Sequence, residues 1–152
     1  MDDFQIEIPL PSDVDGFILL QCQFCGEFFK ITPDDFQDDR ILKLRCPACG
    51  LSNDSFITED AIELAGTKAN NIAKHMLNKE LSKIENKFKG SFLSIKIEKK
   101  YELQPENPLR TVIDNLETAL FRCCQRKAKI KLILKISGCY CPFCGVKNYE
   151  LE

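Results

Sequence analysis

Eight of the nine cysteines in this 152-residue chain fall into four close pairs, and that pairing restricts what it can fold into. The first two pairs are Cys22-Gln23-Phe24-Cys25-Gly26 and Cys46-Pro47-Ala48-Cys49-Gly50, a C-x2-C-x20-C-x2-C pattern at the edge of the spacing of a structural zinc site. The other two are the adjacent Cys123-Cys124 and, sixteen residues on, Cys141-Pro142-Phe143-Cys144-Gly145. A C-x2-C turn sets two sulfurs on one side of a tight loop. A glycine after the second cysteine permits a left-handed backbone there, which turns successive N–H groups back toward the sulfurs and offsets thiolate charge. Two such knuckles face to face make a tetrahedral sulfur cage with zinc–sulfur distances near ~2.3 Å. Four sulfurs leave no open position for water, so the expected role of the metal is structural. Two zinc ions are expected, one on Cys22, Cys25, Cys46 and Cys49, the other on Cys123, Cys124, Cys141 and Cys144.

The second set carries an open choice. Neighbouring side chains on an extended strand point to opposite faces, so Cys123 and Cys124 can share an ion only where the chain bends sharply. Cys139 competes to replace one of them. Lys127 and Lys129, close in sequence, would soften the charge of a zinc tetrathiolate. Iron is the alternative metal. The first four cysteines also resemble those of rubredoxin, a one-iron electron carrier, although this chain has no Trp and much additional sequence.

Composition agrees with a folded protein that relies on metal. The chain is 44% hydrophobic and 29% charged, which excludes a disordered tail. An odd cysteine count argues against a complete disulfide framework. The acidic start, Met1-Asp2-Asp3-Phe4, lacks the basic and apolar regions of a signal peptide, and no apolar run approaches bilayer length. A cytoplasmic location is therefore expected, where thiols stay reduced and clustered cysteines bind metal more often than they pair. Charge is divided unevenly. Residues 1–66 hold fourteen acidic and four basic side chains, a net of −10, and residues 67–152 hold seventeen basic and nine acidic, a net of +8. Either the halves attract each other, or the basic part meets a polyanion.

Hydrophobic patterning orders the chain into an N-terminal metal module (1–57), a helix-and-strand linking region (58–108) and a C-terminal metal module (109–152). Phe4, Ile6, Ile8 and Leu10 alternate as a short edge strand would. Strands are expected at 17–21, leading into Cys22, at 28–31, leading out of Cys25, and at 41–45, leading into Cys46, with an acidic loop at 32–39. That order of strand, knuckle, strand, loop, strand, knuckle is the layout of a zinc ribbon. Thr58 begins a long amphipathic helix with Glu59 and Asp60 in its first turn. Its apolar residues recur at helical spacing through Phe88, Gly66 weakens its start, and Gly90 stops it. Its wide apolar stripe requires a partner, expected to be the strand at 92–101. A linker at 104–108, a strand at 116–122 and an apolar run at 130–136 frame the second cysteine set. The fold class expected is α+β: a zinc ribbon, a long helix on an antiparallel sheet, and a second ribbon-like site.

Catalytic arrangements are absent from the sequence. His75 is the one histidine, placed mid-helix, and no P-loop, G-x-G-x-x-G or H-E-x-x-H motif occurs. The cluster Asp34, Asp35, Asp38 and Asp39 lacks the glycine and spacing of a calcium loop. The chain is therefore read as no enzyme, with no evident small-molecule substrate and no membrane partner. Two function classes remain. One is a noncatalytic zinc-binding adaptor that docks a protein partner. The other is a nucleic-acid binder using Lys96, Lys99, Lys100, Arg122, Arg126, Lys127, Lys129, Lys131 and Lys135 on phosphates, with Phe121 or Tyr140 stacking on bases. The acidic pI of about 5.6 and the scarcity of Arg favour the adaptor.

With these residues in place, the chain resembles zinc-ribbon proteins in general. More narrowly, it resembles an uncharacterised group of bacterial proteins with an N-terminal four-cysteine ribbon, a long helix and strand, and a C-terminal Cys-Cys or Cys-His ahead of a final C-x2-C-G. The matching pieces are Asp15-Gly16-Phe17, Cys22 and Cys25, Cys46-Pro47-Ala48-Cys49-Gly50, Thr58-Glu59, and Cys123-Cys124 with Cys141 and Cys144. The resemblance implies no established activity. It does imply adjacent residues as ligands in the second site.

Overall fold

A computed structural model describes residues 5–90, 100–109 and 115–152. In chain order the elements are β1 (Ile18–Gln21), β2 (Phe28–Ile31), α1 (Pro33–Phe36), α2 (Glu59–Lys87), β3 (Leu116–Phe121), β4 (Arg126–Lys131), α3 (Leu132–Ser137), β5 (Cys139–Tyr140) and β6 (Lys147–Asn148). The architecture is mixed helix and antiparallel sheet with one long helix. Among the described residues, no helix is long and apolar enough to cross a membrane. The chain forms two compact units, one of Met1–Ile8 with Ile62–Pro108, the other of Pro9–Ala61 with Leu109–Glu152.

The second unit is built on a four-stranded antiparallel sheet in the order β1-β2-β4-β3. Its N-terminal hairpin, β1–β2, carries Cys22 and Cys25 in the connecting turn, and its C-terminal hairpin, β3–β4, carries Cys123 and Cys124 in the same place. The hairpins meet through β2 and β4, where Lys30 lies opposite Lys129. That order sets the two hairpins side by side through their second strands. Side chains alternate along each strand, so Ile18, Leu20, Phe29, Ile31, Ala119, Phe121, Ala128 and Ile130 share one face, and all are buried. Phe56 meets Phe29 edge-on at 5.5 Å, and Phe143 meets Phe121 edge-on at 6.4 Å. Buried cysteines and both knuckle prolines complete this core.

The other face puts two lysines side by side, an arrangement that costs energy unless compensated. Asp13 compensates it. Its Oδ2 accepts from Lys30 Nζ at 3.0 Å and Lys129 Nζ at 2.8 Å, while its Oδ1 accepts the N–H groups of Asp15 at 3.0 Å and Phe17 at 2.9 Å. Lys129 also pairs with Asp15 at 2.6 Å and lies 5.0 Å from the centre of the Phe17 ring. Arg126 binds both Asp35 and Asp38, and Lys131 pairs with Glu27 at 2.6 Å. Within this unit the acidic front of the sequence thus neutralises part of its basic back.

Several expectations change. The 41–45 strand does not form: within it only Arg45 bridges, to Ser52, and 41–44 has no strand partner among the described residues. The place beside β2 that a third ribbon strand would take is filled by β4. Residues 5–10 form no strand. The acidic loop contains a helical turn, α1, because Thr32 caps it by accepting from Asp35 N at 3.2 Å and Pro33 presets its first φ. The apolar run at 130–136 divides. Its β3 partner ends where Leu116 faces Lys131, and the chain beyond coils into α3, closed by Gly138 at φ 106°. Gly66 is accommodated within α2. The strand expected at 92–101 lies outside the described residues up to position 99, and Lys100 and Tyr101 are not in a strand.

In the other unit α2 holds an extended segment with two asparagines. Asn71 donates to Gln104 O and accepts from Gln104 N, both at 2.8 Å, and Asn78 does the same with Tyr101, both at 2.8 Å. Seven helical residues rise about 10.5 Å, and three extended residues span about 10 Å, so the two clamps stay in register.

Candidate metal centres

Two groups of cysteines converge in the sheet-based unit: Cys22, Cys25, Cys46 and Cys49, and Cys123, Cys124, Cys141 and Cys144, with the sulfurs of each group within 4.8 Å of one another. Within them, Cys22 and Cys49 lie 3.7 Å apart, Cys25 and Cys46 3.5 Å, and Cys123 and Cys144 3.5 Å. A disulfide would need about 2.05 Å, and all nine cysteines are free. A tetrahedron with zinc–sulfur bonds of about 2.3 Å has edges of about 3.8 Å. The sulfur spacing therefore fits a four-coordinate metal ion.

Local backbone explains the convergence. Three knuckles repeat one pattern. In each, the glycine N–H bonds the first cysteine's carbonyl: Gly26 to Cys22 at 3.0 Å, Gly50 to Cys46 at 2.8 Å and Gly145 to Cys141 at 2.9 Å. The first cysteine's own N–H bonds a carbonyl five residues on, at 2.9, 2.9 and 2.8 Å respectively. The three glycines have φ of 76°, 72° and 79°, the left-handed region that a side chain resists. Successive N–H groups then aim at sulfur, as the spacing predicts: Phe24 and Cys25 at Cys22, Ala48 and Cys49 at Cys46, Phe143 and Cys144 at Cys141. The fourth ligand pair is different. Cys123 and Cys124 sit in the β3–β4 turn, where Cys124 N bonds Phe121 O at 3.2 Å and Gln125 adopts φ 55°. This is the sharp bend that adjacent cysteines require.

Electrostatics make a cation necessary for four thiolates. Burial pushes the Cys46 and Cys141 thiols well above the ordinary range and the Cys124 thiol up to about 11. Burial also works to raise Cys22, but the N–H groups of Cys25 and Phe24 outweigh it and lower that thiol. Cys144 is lowered likewise, with the Val146 N–H opposing burial. The first cluster thus favours an anionic Cys22 and resists ionisation at Cys25 and Cys46, and the second favours Cys144 and resists it at Cys124 and Cys141, a charge problem that a bound metal ion relieves.

Cys139 lies outside both clusters. It is buried in the core, and burial pushes its thiol up to about 11. Cys123 receives instead a side-chain N–H from Asn148 at 3.6 Å.

Most of the described basic residues named in the sequence already have partners. Lys96 and Lys99 lie outside the described residues. Arg126, Lys129 and Lys131 are engaged with carboxylates as above, and Arg122 pairs with Glu152 at 2.8 Å. Lys100 and Lys127 are exposed, and Lys135 donates to Thr118 O at 3.2 Å. Phe121 is buried, and Tyr140 is half-buried with its ring resting against Gly50. His75 is exposed on α2.

Sequence reasoning missed how the C-P-x-C-G knuckles at 46–49 and 141–144 dock on each other. Arg45 N bonds Pro142 O, and Tyr140 N bonds Pro47 O, both at 2.9 Å. The residue before each knuckle also covers the glycine after the other. A Cβ on Gly50 would lie 3.0 Å from the Tyr140 ring, and one on Gly145 would lie 2.6 Å from Arg45 Cδ. The available signal was a bulky residue immediately before Cys-Pro in both copies. No protein-family model, curated protein or solved structure matches this chain.

Proposed function

We propose that the chain is a noncatalytic adaptor, organised by two structural zinc ions, that docks an extended segment of a protein partner. One observation carries this reading. A groove of about 640 Å³ lies beside the first cysteine cluster, walled by residues 41–44 and 52–57 and lined by Phe24, Phe36 and Phe56. Phe24 is 62% exposed and Leu42 94% exposed. The two walls are joined at the Arg45–Ser52 bridge. Among the described residues, the N–H groups of Leu42, Lys43 and Leu44 have no hydrogen-bond partner. A strand-like sequence with unpaired N–H groups beside an apolar groove suits strand addition, in which backbone bonds hold the peptide and alternate side chains enter the groove. Zinc is the metal that four thiolates in a closed tetrahedral cage favour, and it would act here by holding Phe24 and the 41–57 segment in place. The engagement of Arg126, Lys129 and Lys131 by carboxylates supports this reading over a phosphate-binding surface.

Elemental analysis of protein purified without chelator should return two zinc ions per chain, whereas a red, iron-containing protein would overturn zinc in favour of electron transfer. Selection from a random peptide library should yield apolar, extended sequences whose binding by fluorescence polarisation is lost in Leu42→Asp and Phe24→Asp. Failure to select any peptide, together with a salt-sensitive mobility shift of DNA or RNA, would overturn the adaptor reading.

A further inference from the structure

We infer that the two metal centres load as a coupled pair, each ion raising the affinity of the chain for the other. This rests on the reading of both clusters as metal centres. The coupling element is the interface of the two C-P-x-C-G knuckles. Its two hydrogen bonds are reciprocal, so neither forms unless both knuckles are folded. Pro47 and Pro142 are fully buried there. The Tyr140 ring rests on Gly50 and the Arg45 side chain on Gly145, contacts that only a left-handed glycine in each knuckle admits.

The physical consequence is direct. A C-x2-C turn has only two backbone bonds of its own, so an ion that joins it to the facing pair of sulfurs fixes much of its geometry. Binding at Cys22, Cys25, Cys46 and Cys49 fixes the 46–49 knuckle. That knuckle then presents Pro47 O and Arg45 N to the 141–144 knuckle. The ordering cost of the second site is thereby reduced before its ion arrives. The sheet carries the same coupling a second time, since the hairpins bearing the other four cysteines meet through β2 and β4. Coupling of this kind is reciprocal by thermodynamic necessity.

The test is a zinc titration of the full chain in a chelator buffer, read by native mass spectrometry as the fractions holding no, one and two ions. In Cys141→Ser/Cys144→Ser, the affinity of the remaining site should fall about tenfold or more, and Cys46→Ser/Cys49→Ser should weaken the other site by the same factor. Affinities within twofold of the wild-type values would overturn the coupling. A second variant covers the case in which these fail to fold. Arg45→Ala/Tyr140→Ala keeps all eight ligands and both backbone bonds while removing the side chains across the interface. Its singly loaded fraction at half saturation should rise over wild type, by up to about twofold for a tenfold coupling, and an unchanged fraction would overturn the inference. A wild-type chain that binds no zinc at all would instead refute the metal reading itself.

Discussion

Replacing Asp13 by asparagine should unfold the sheet-based unit far more readily than an ordinary surface change. Asparagine keeps an oxygen for the N–H groups of Asp15 and Phe17, so the substitution isolates the charge. The carboxylate is 10% exposed and serves two lysine side chains that are 7% and 10% exposed. Removing one partner of a buried ion pair costs about 3–5 kcal/mol, because the remaining charge is left uncompensated. Lys129 keeps Asp15, but Lys30 keeps nothing among the described residues, which places the loss near the lower figure, about 3 kcal/mol. With a denaturant slope of about 2 kcal/mol/M, the urea midpoint of the metal-loaded protein should fall by about 1.5 M. Adding Lys30→Met to Asp13→Asn removes the stranded charge and should recover at least half of that loss. A midpoint for Asp13→Asn equal to wild type, or a double variant no better than the single one, would refute the compensation of Lys30 and Lys129 by this carboxylate. The pH dependence gives a further check. Burial works to raise the Asp13 pKa, but the bonds from Lys129, the Phe17 N–H and Lys30 outweigh it and hold the carboxyl well below the usual carboxylate range. Its stabilisation is then complete above the unfolded value of about 3.9 and is lost only as pH falls below that toward the folded value. The gap between wild type and Asp13→Asn should stay flat between about pH 5 and 8.

Two other outcomes bear on the site and on the helix unit. Cys139→Ser should retain two zinc ions per chain, because that sulfur lies outside both clusters, whereas Cys124→Ser should lose the second ion; elemental analysis reads both. Asn71→Asp keeps the acceptor for Gln104 N but sets a carboxylate against Gln104 O, in a residue only 9% exposed. Gln104 itself is exposed, so water can replace the lost donor and the cost is that of one hydrogen bond, about 1 kcal/mol; hydrogen exchange at the Gln104 amide should quicken about fivefold, with Asn78 and Tyr101 as the internal control.

Much of the candidate site was legible because its information is local. A C-x2-C-G turn is defined within five residues, and each of its glycines adopts the backbone that the spacing requires. β1, β2, β3 and α2 form near the expected positions for the same reason. The open choice among Cys123, Cys124 and Cys139 needed more. Only the turn at Gln125 turns two adjacent sulfurs toward one point, and only core packing assigns Cys139 to the interior. The 41–45 strand was misread because strand character is a statement about partners. Ile41, Leu42 and Leu44 have the pattern, but the neighbouring position in the sheet belongs to β4, more than eighty residues away in sequence.

By itself the order of residues determined that four short turns would hold sulfur in pairs, that a long helix would separate them, and that opposite charge would gather in opposite halves. Which aspartates meet Lys129 and Arg126, and how the two Cys-Pro knuckles rest on each other, were decided only in three dimensions. Turn geometry depends on a few neighbouring dihedral angles, whereas those contacts join segments about a hundred residues apart and exist only once the sheet has brought the two hairpins together.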